Sequence, residues 1–312
     1  MGELLPPAVR AKVLAEIAIG IIAQGRLGPS ARDVVISVGQ RSGETPLRMA
    51  TGNADLIHDV ARGVVDIGFI NPSGLLTQAH LGKGIFRETL PLRVVACYPS
   101  WDRAVLAVHP RSGITSFGQM RDLHQPFCLS IRGDAAHATV VLIEQILACY
   151  GLSLAALQSR GATLQNVRAP RDPERVRAIE DGAIDAIFDE GMSHWLDDAL
   201  AAGMRPISLE EGVLQHLESL GWRRATIPDT DVAGIDFSGW ALYTRESMPE
   251  DAVYQVCDAL FERASEIPWE TGGSTDFGQL GRDGPATPLD VPLHPGAARW
   301  FNEHTAVEVN HL

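Results

Sequence analysis

Apolar residues along this chain fall into short runs and helical repeats in alternation. A helix, amphipathic in outline, is expected from Ala8 to about Gln24. Arg32–Val38 reads as a strand, followed by a polar, glycine-bearing loop at Gly39–Glu44. A second helix is expected over Asn53–Arg62, closed by Gly63, and Val65–Ile70 makes a strand that delivers Asn71, Pro72 and Ser73 to its end. Leu92–Tyr98 and Ala104–His109 are two more strands, separated by Pro99-Ser100-Trp101. Short apolar runs bounded by turn residues are the signature of buried strands.

The same alternation continues in the middle of the chain. Phe127–Ile131 is a strand, Arg132-Gly133-Asp134 a polar bend, and a helical pattern runs from Ala135 to about Tyr150. There Val140, Ile143, Ile146, Leu147 and Tyr150 repeat at helical spacing, so one face is core. Strands near Thr163–Arg168, Ala183–Phe188 and Met204–Ser208 alternate with helices near Pro173–Asp181, from Ser193, and over Glu210–Leu220. Ile235–Thr244 is strand-like and Pro249–Glu266 helical, with Pro249 at its first position. Thr271–Pro288 is a loop. Strands alternating with helices predict an α/β fold with largely parallel sheets, whose ligands bind beyond the strand ends. With Pro110–Thr115 as a crossing, the expected lobes are 1–110 with 216–312, and an inserted 111–215.

Composition narrows the partners. The 312 residues carry 39 acidic against 26 basic side chains, a net charge of −13. That excludes the basic footprint of a nucleic-acid binder and disfavours an anionic membrane surface. No apolar run reaches the length of a membrane span. Cys97, Cys128, Cys149 and Cys257 have no metal or disulfide spacing and are expected as small buried hydrophobes. No GxSxG, GxxxxGK[ST] or HExxH pattern occurs, and nothing calls for a cofactor or metal.

The candidate chemistry centres on Phe127–Thr139. A strand that turns through glycine into a helix aims free backbone N–H groups at one spot, and the helix dipole makes it attractive to an anion. Arg132, Gly133, Asp134 and Ala135 form that turn. An ordinary connection, with Asp134 as helix cap and Arg132 in solvent, fits the same residues.

Several passages resemble, in order over about residues 32–303, the TAXI-type solute receptors of tripartite ATP-independent periplasmic (TRAP) transporters. They are Thr51-Gly52-Asn53 with Gly63–Phe69, Ser112–Met120, Gly133–Thr139, Asp181–Phe188, Ala225–Pro228, Met248–Tyr254 and Pro292–Ala297. The resemblance implies a two-lobed type II periplasmic-binding-protein-like fold around a ligand cleft, with the family's first strand missing here. It implies a small organic acid as ligand, a carboxylate or amino acid, held by backbone N–H groups and Arg132. Thr51, Gly52 and Asn53 would face that turn from the first lobe, with Asn71 and Ser73 at the next strand end. Tyr98 and Trp101 could stack on the ligand or belong to the core. TRAP membrane subunits would be the partner.

The resemblance also implies the periplasm. The N-terminus, however, reads as a helix interrupted by Glu16 rather than a secretion signal, which keeps the cytoplasm as an alternative. Asp189 and Glu190 depart from the small neutral residues of the family and would face the cleft. With His194, four residues on, and His137 across the lobe, they form a second constellation suited to acid–base chemistry. On that reading the chain is a cytoplasmic enzyme or sensor for a small carboxylic or aromatic acid.

Overall fold

The computed structural model describes residues 6–23, 34–39, 46–122, 126–267 and 277–308. Two sheets divide the chain. The first is ordered β1 (Val35–Val38), β2 (Leu47–Thr51), β3 (Ile67–Ile70), β12 (Trp240–Arg245) and β4 (Leu92–Tyr98). Strands β2 and β3 are parallel, joined by α2 (Ala54–Ala61), whose Ala54, Leu56, Ile57 and Val60 form its buried stripe. Strand β12 returns antiparallel between β3 and β4. Helices α9 (Glu250–Glu262) and α10 (Pro295–Glu308) pack together against β4 around Cys257, Phe277 and Trp300. Among the described residues no strand precedes Val35; the segment before it forms α1 (Pro6–Ala23).

The second sheet runs β10 (Arg224–Thr226), β11 (Ala233–Asp236), β5 (Arg103–Val108), β8 (Ala186–Asp189), β6 (Phe127–Arg132) and β7 (Ala162–Val167), with β9 (Arg205–Ile207) also on β5. Strand β6 is parallel to both β7 and β8. Its helices are α4 (Ala138–Cys149), α5 (Leu154–Ser159), α6 (Pro173–Glu180), α7 (Leu196–Ala201) and α8 (Glu211–Leu220). The two sheets give a two-lobed α/β arrangement, as expected from the sequence.

By sheet membership the chain leaves the first lobe between Tyr98 and Arg103 and returns between Asp236 and Trp240. The expected crossings, near 110 and 215, differ because an apolar run identifies a strand without saying which sheet it joins. Ile235–Thr244 is likewise two strands, β11 and β12, in different sheets. Gly239, at φ +78°, breaks the run, and the Asn71 amide donates to Phe237 O (2.9 Å) and Gly239 O (3.0 Å). Helix α3 (Ser73–Leu81) was not legible because Ser73–Ala79 are buried on every side, which leaves no polar face to mark the period.

The lobes are packed on one another. Trp222, at the end of α8, stacks on Phe237 (centroids 5.7 Å, 8°) and lies against Gly74 of α3. A Cβ at Gly74 would fall 2.6 Å from the indole, so only glycine permits this approach. The Trp222 indole N–H donates to Gln145 Oε1 (2.6 Å), and Gln145 Nε2 to Gln78 Oε1 (3.0 Å), joining α4 to α3. Helix α1 departs from expectation: its apolar Val13, Leu14, Ile17, Ile19 and Ile21 all stand exposed. Of the cysteines, Cys97 and Cys257 are buried and Cys128 half-buried, but Cys149 is exposed.

Candidate functional site

Strands β6, β7 and β8 end together, and the turns beyond them build a charged cluster. Arg132 closes β6 with 5 % exposure and Asp189 closes β8 with none. The Arg132 Nε donates to both Asp189 oxygens (2.8 and 3.0 Å), Nη1 to Arg168 O (2.7 Å), and Nη2 to Glu190. Arg175, fully buried on α6, donates through Nη1 to Asp189 Oδ2 (2.5 Å) and Pro170 O (3.0 Å), and through Nε to Ser130 Oγ (3.0 Å). Two guanidinium groups thus meet two carboxylates inside the lobe.

This geometry alters the expected roles. The seat on Arg132 for a ligand carboxylate is taken by the protein's own Asp189 and Glu190. Asp189 turns into the lobe rather than into the cleft, because two buried cations require a buried anion. Arg175 was missed from the sequence; its signal is an arginine on the face of α6 that also buries Ala178 and Ile179.

Glu190 is the titratable member of the cluster. Burial, opposed by the Arg132 guanidinium, pushes its carboxyl up to about 7, with Asp189 and Asp102 adding to the rise. His137 Nε2 lies 3.8 Å from Glu190 Oε1, as the alternative constellation required. His194 does not join them: Gly191, at φ +63°, ends the strand and a short 3-10 turn carries His194 to the surface. Glu190 and His194 therefore share no helix face. Among the described residues no group of three His, Cys, Asp or Glu is arranged to hold a metal.

Asp134 faces the first lobe. Its Oδ1 accepts from Ala136 N (2.9 Å) and its Oδ2 from the Asn53 amide (2.5 Å). The cap of α4 is His137, whose Nδ1 accepts from Thr139 N (3.3 Å), three residues beyond the expected cap. Gly133 and Ala135 are exposed on this turn, so the helix itself starts later than Ala135. Asn53 caps α2 without a side-chain bond of its own, since its amide reaches across to Asp134, and Ala54 N points at Ala136 O (3.5 Å). The N-termini of α2 and α4, one from each lobe, converge here.

The other candidates lie apart in role. Thr51 Oγ1 accepts from Val34 N (3.0 Å) at the C-terminal end of β2, and half-buried Gly52 links it to Asn53. Asn71 holds the returning crossing, and Ser73 is buried in the first turn of α3. Tyr98 packs edge-on against Phe69 (5.5 Å, 87°), and burial raises its hydroxyl pKa. Trp101 is exposed at the outgoing crossing under the Arg103 guanidinium, 4.4 Å away.

Asp102, beside Trp101, was missed. Its carboxylate accepts from Gly191 N (2.6 Å), Met192 N (3.2 Å) and Arg103 N (2.7 Å), tying the crossing to the turn that follows Glu190. Burial pushes it up to about 6.

Comparison with known proteins adds a family. The profile described as the NMT1-like family matches residues 41–304. No curated protein matches the chain. Among solved structures, the chain is similar to a protein from Xanthomonas citri bound to chloride ion, at 14 % identity and TM-score 0.43, covering 83 % of this chain and 84 % of that one. It is also similar to the alkanesulfonate-binding protein of Xanthomonas axonopodis pv. citri bound to MOPS, at 16 % identity and TM-score 0.31, covering 80 % and 70 %.

Proposed function

The chain belongs to the NMT1-like family, and on that premise we propose that it is a solute-binding protein whose lobes close on a small organic acid. The finer assignment is a TAXI-type receptor acting in the periplasm and handing its ligand to TRAP-type membrane subunits; the order of the Thr51–Asn53, Asp181–Phe188 and Pro292–Ala297 passages supports it. One observation carries the reading: the N-terminus of α2 and the turn leading into α4, from opposite lobes, meet at Asn53 and Asp134. Converging amides and dipoles favour an anion, and a ligand that bridges them stabilises the closed form.

Between a simple carboxylate and an amino acid, the electrostatics favour the amino acid. Arg132 is neutralised by Asp189 and Glu190, while Asp134 supplies negative charge for an ammonium group beside the amides that take the carboxylate. The test is a thermal-shift and calorimetric screen of amino acids against the same acids lacking the amine. Amino acids should raise the melting temperature, and Asn53→Ala should weaken them at least tenfold. Equal binding by parent and Asn53→Ala would remove this site from the proposal.

A second reading, an enzyme or sensor, is favoured by one contact, the pairing of His137 with a carboxyl that titrates near 7. It requires that Glu190→Gln abolish turnover of a bound acid while leaving its affinity intact.

A further inference from the structure

The buried cluster behind the lobe contact is unbalanced in charge. Its cations are Arg132 and Arg175, and its carboxylates are Asp189, Glu190 and, across the turn, Asp102. Asp189 takes a bond from each guanidinium, which leaves Glu190 a share of Arg132 alone. Among the described residues, the Asp102 carboxylate is held by the backbone amides of Gly191, Met192 and Arg103. The Arg103 guanidinium goes to Asp236 (2.6 Å) and to the Asp102 carbonyl (2.7 Å) rather than to that carboxylate. Three carboxylates against two guanidinium groups leave one buried negative charge without a cation, and a proton is the smallest ion that can neutralise it.

Glu190 is where that proton sits. Its side chain is 15 % exposed and meets charge from every side. Arg132 faces it from β6, His137 from the start of α4 with Nε2 at 3.8 Å, Asp189 from its own strand, and Asp102 from the outgoing crossing. Burial, and then the two anions, push its carboxyl up to about 7 against Arg132; burial likewise pushes Asp102 up to about 6.

The same carboxyl lies between the lobe contact and the hinge. His137 ends the turn whose Asp134 and Ala136 meet Asn53 and Ala54 of the first lobe. On the other side, Asp102 fastens the turn after Glu190 to the outgoing crossing. That crossing is joined to the returning one by Phe237 N to Asp102 O (3.0 Å) and Asp102 N to Ser238 Oγ (3.1 Å). Parting the lobes at Asn53 uncovers the turn over Glu190 and admits water, which returns the carboxyl toward ordinary glutamate acidity.

We propose that the lobes close with uptake of a proton by Glu190, so that the closed form holds its ligand and a proton together; this rests on the reading of the chain as a solute-binding protein that closes. The direction follows from linkage. The closed form binds the proton more tightly than the open one, so closure is favoured as pH falls through neutrality and disfavoured above it.

Spin labels on Asp55→Cys and Ala135→Cys, exposed positions in opposite lobes, report the closed-to-open ratio of the ligand-free chain in a Cys128→Ala, Cys149→Ser background. Measured by double electron–electron resonance, that ratio should rise about tenfold or more from about pH 8 to about pH 5.5. Glu190→Gln, a permanently neutral isostere, should hold at the higher pH nearly the ratio that the parent reaches at the lower, and lose most of the response. His137→Asn keeps a capping side chain and should retain the response. A ratio that is the same at both pH values overturns the proposal, as does a Glu190→Gln chain that responds as the parent does. A response lost with His137→Asn and kept with Glu190→Gln puts the proton on the imidazole and overturns it too. The amino-acid reading stands or falls separately. Amino acids that close the labelled chain with equal affinity at both pH values overturn the proton step and leave that reading intact. A pH-dependent ratio in a chain that no amino acid closes supports the proton step and removes the amino acid.

Discussion

Asp189 is the residue on which the cluster's stability turns, and Asp189→Ala tests that claim. The carboxylate accepts from Arg132 Nε, Arg175 Nη1 and Glu190 N, and is itself inaccessible to water. Without it, Arg132 keeps Glu190 and the Arg168 carbonyl. Arg175 keeps only neutral acceptors, Ser130 Oγ and Pro170 O, and among the described residues its Nη2 has no hydrogen-bond partner even in the parent. Burial already lowers the Arg175 pKa, with Asp189 opposing. Removing one member of a buried ion pair costs about 3–5 kcal/mol, mostly the uncompensated charge. At about 2.1 cal/mol/K of unfolding entropy per residue, a chain of this length should lose roughly 5–8 °C in Tm. The double variant Asp189→Leu with Arg175→Met removes charge and counter-charge together, so calorimetry should find it more stable than Asp189→Ala by about 2 kcal/mol or more. A single variant within about 1 kcal/mol of the parent, or a double variant that simply adds two losses, would refute the reasoning.

Three further outcomes follow from the same contacts. Glu190 rises from its ordinary 4.5 to about 7 on folding, so the folded chain holds a proton that the unfolded chain has released. Glu190 should contribute a fall in stability of up to about 3 kcal/mol as pH rises through that window, and Glu190→Gln should reduce the dependence in urea titrations at pH 5 and 7.5, leaving the part that Asp102 contributes. Gly74→Ala, ordinarily favourable in a helix, should instead cost about 1–3 kcal/mol in urea, because the new methyl meets the buried Trp222 ring. Asp102→Ala strips acceptors from Gly191 N and Met192 N and should cost about 2 kcal/mol, with Asp102→Asn recovering part of it.

What the sequence made legible was periodic structure. Leu92–Tyr98 and the strands opening at Phe127 and near Ala183 were readable because a buried strand is an uninterrupted apolar run. Helix α3 was hidden by the same logic, being buried on all sides. Partnership was not legible at all. The turn after Ile131 could be recognised as a helix entry, and Arg132 as its charge. That Arg132 faces Asp189 rather than solvent or ligand depends on two parallel strands 57 residues apart ending side by side. Asn53 and Asp134 were both named as candidates, yet their bond spans 81 residues and two lobes. Arg175 and Asp102 carry no local pattern beyond a charge in apolar company.

The lobes meet through contacts of two kinds, and the difference predicts how they part. At Asn53 and Asp134 the contact is a single amide–carboxylate hydrogen bond, which contributes about 1.5–3 kcal/mol net and which water can replace. At α3 the contacts are apolar and close: Trp222 lies against Gly74, and a Cβ on Gly221 would fall 3.0 Å from the Thr77 methyl. Exposing a buried aromatic side chain costs about 1.5–3 kcal/mol, and the Gln78–Gln145–Trp222 bonds would be lost with it. Opening should therefore pivot about the α3–Trp222 edge and gape at Asn53, with Asn71 holding the crossing. Spin labels at Asp55 and Ala135, both exposed, should report a distance that shortens on ligand binding, while Trp222 fluorescence stays constant. If Trp222 changes its environment and the labels do not move, the lobes part on the other side.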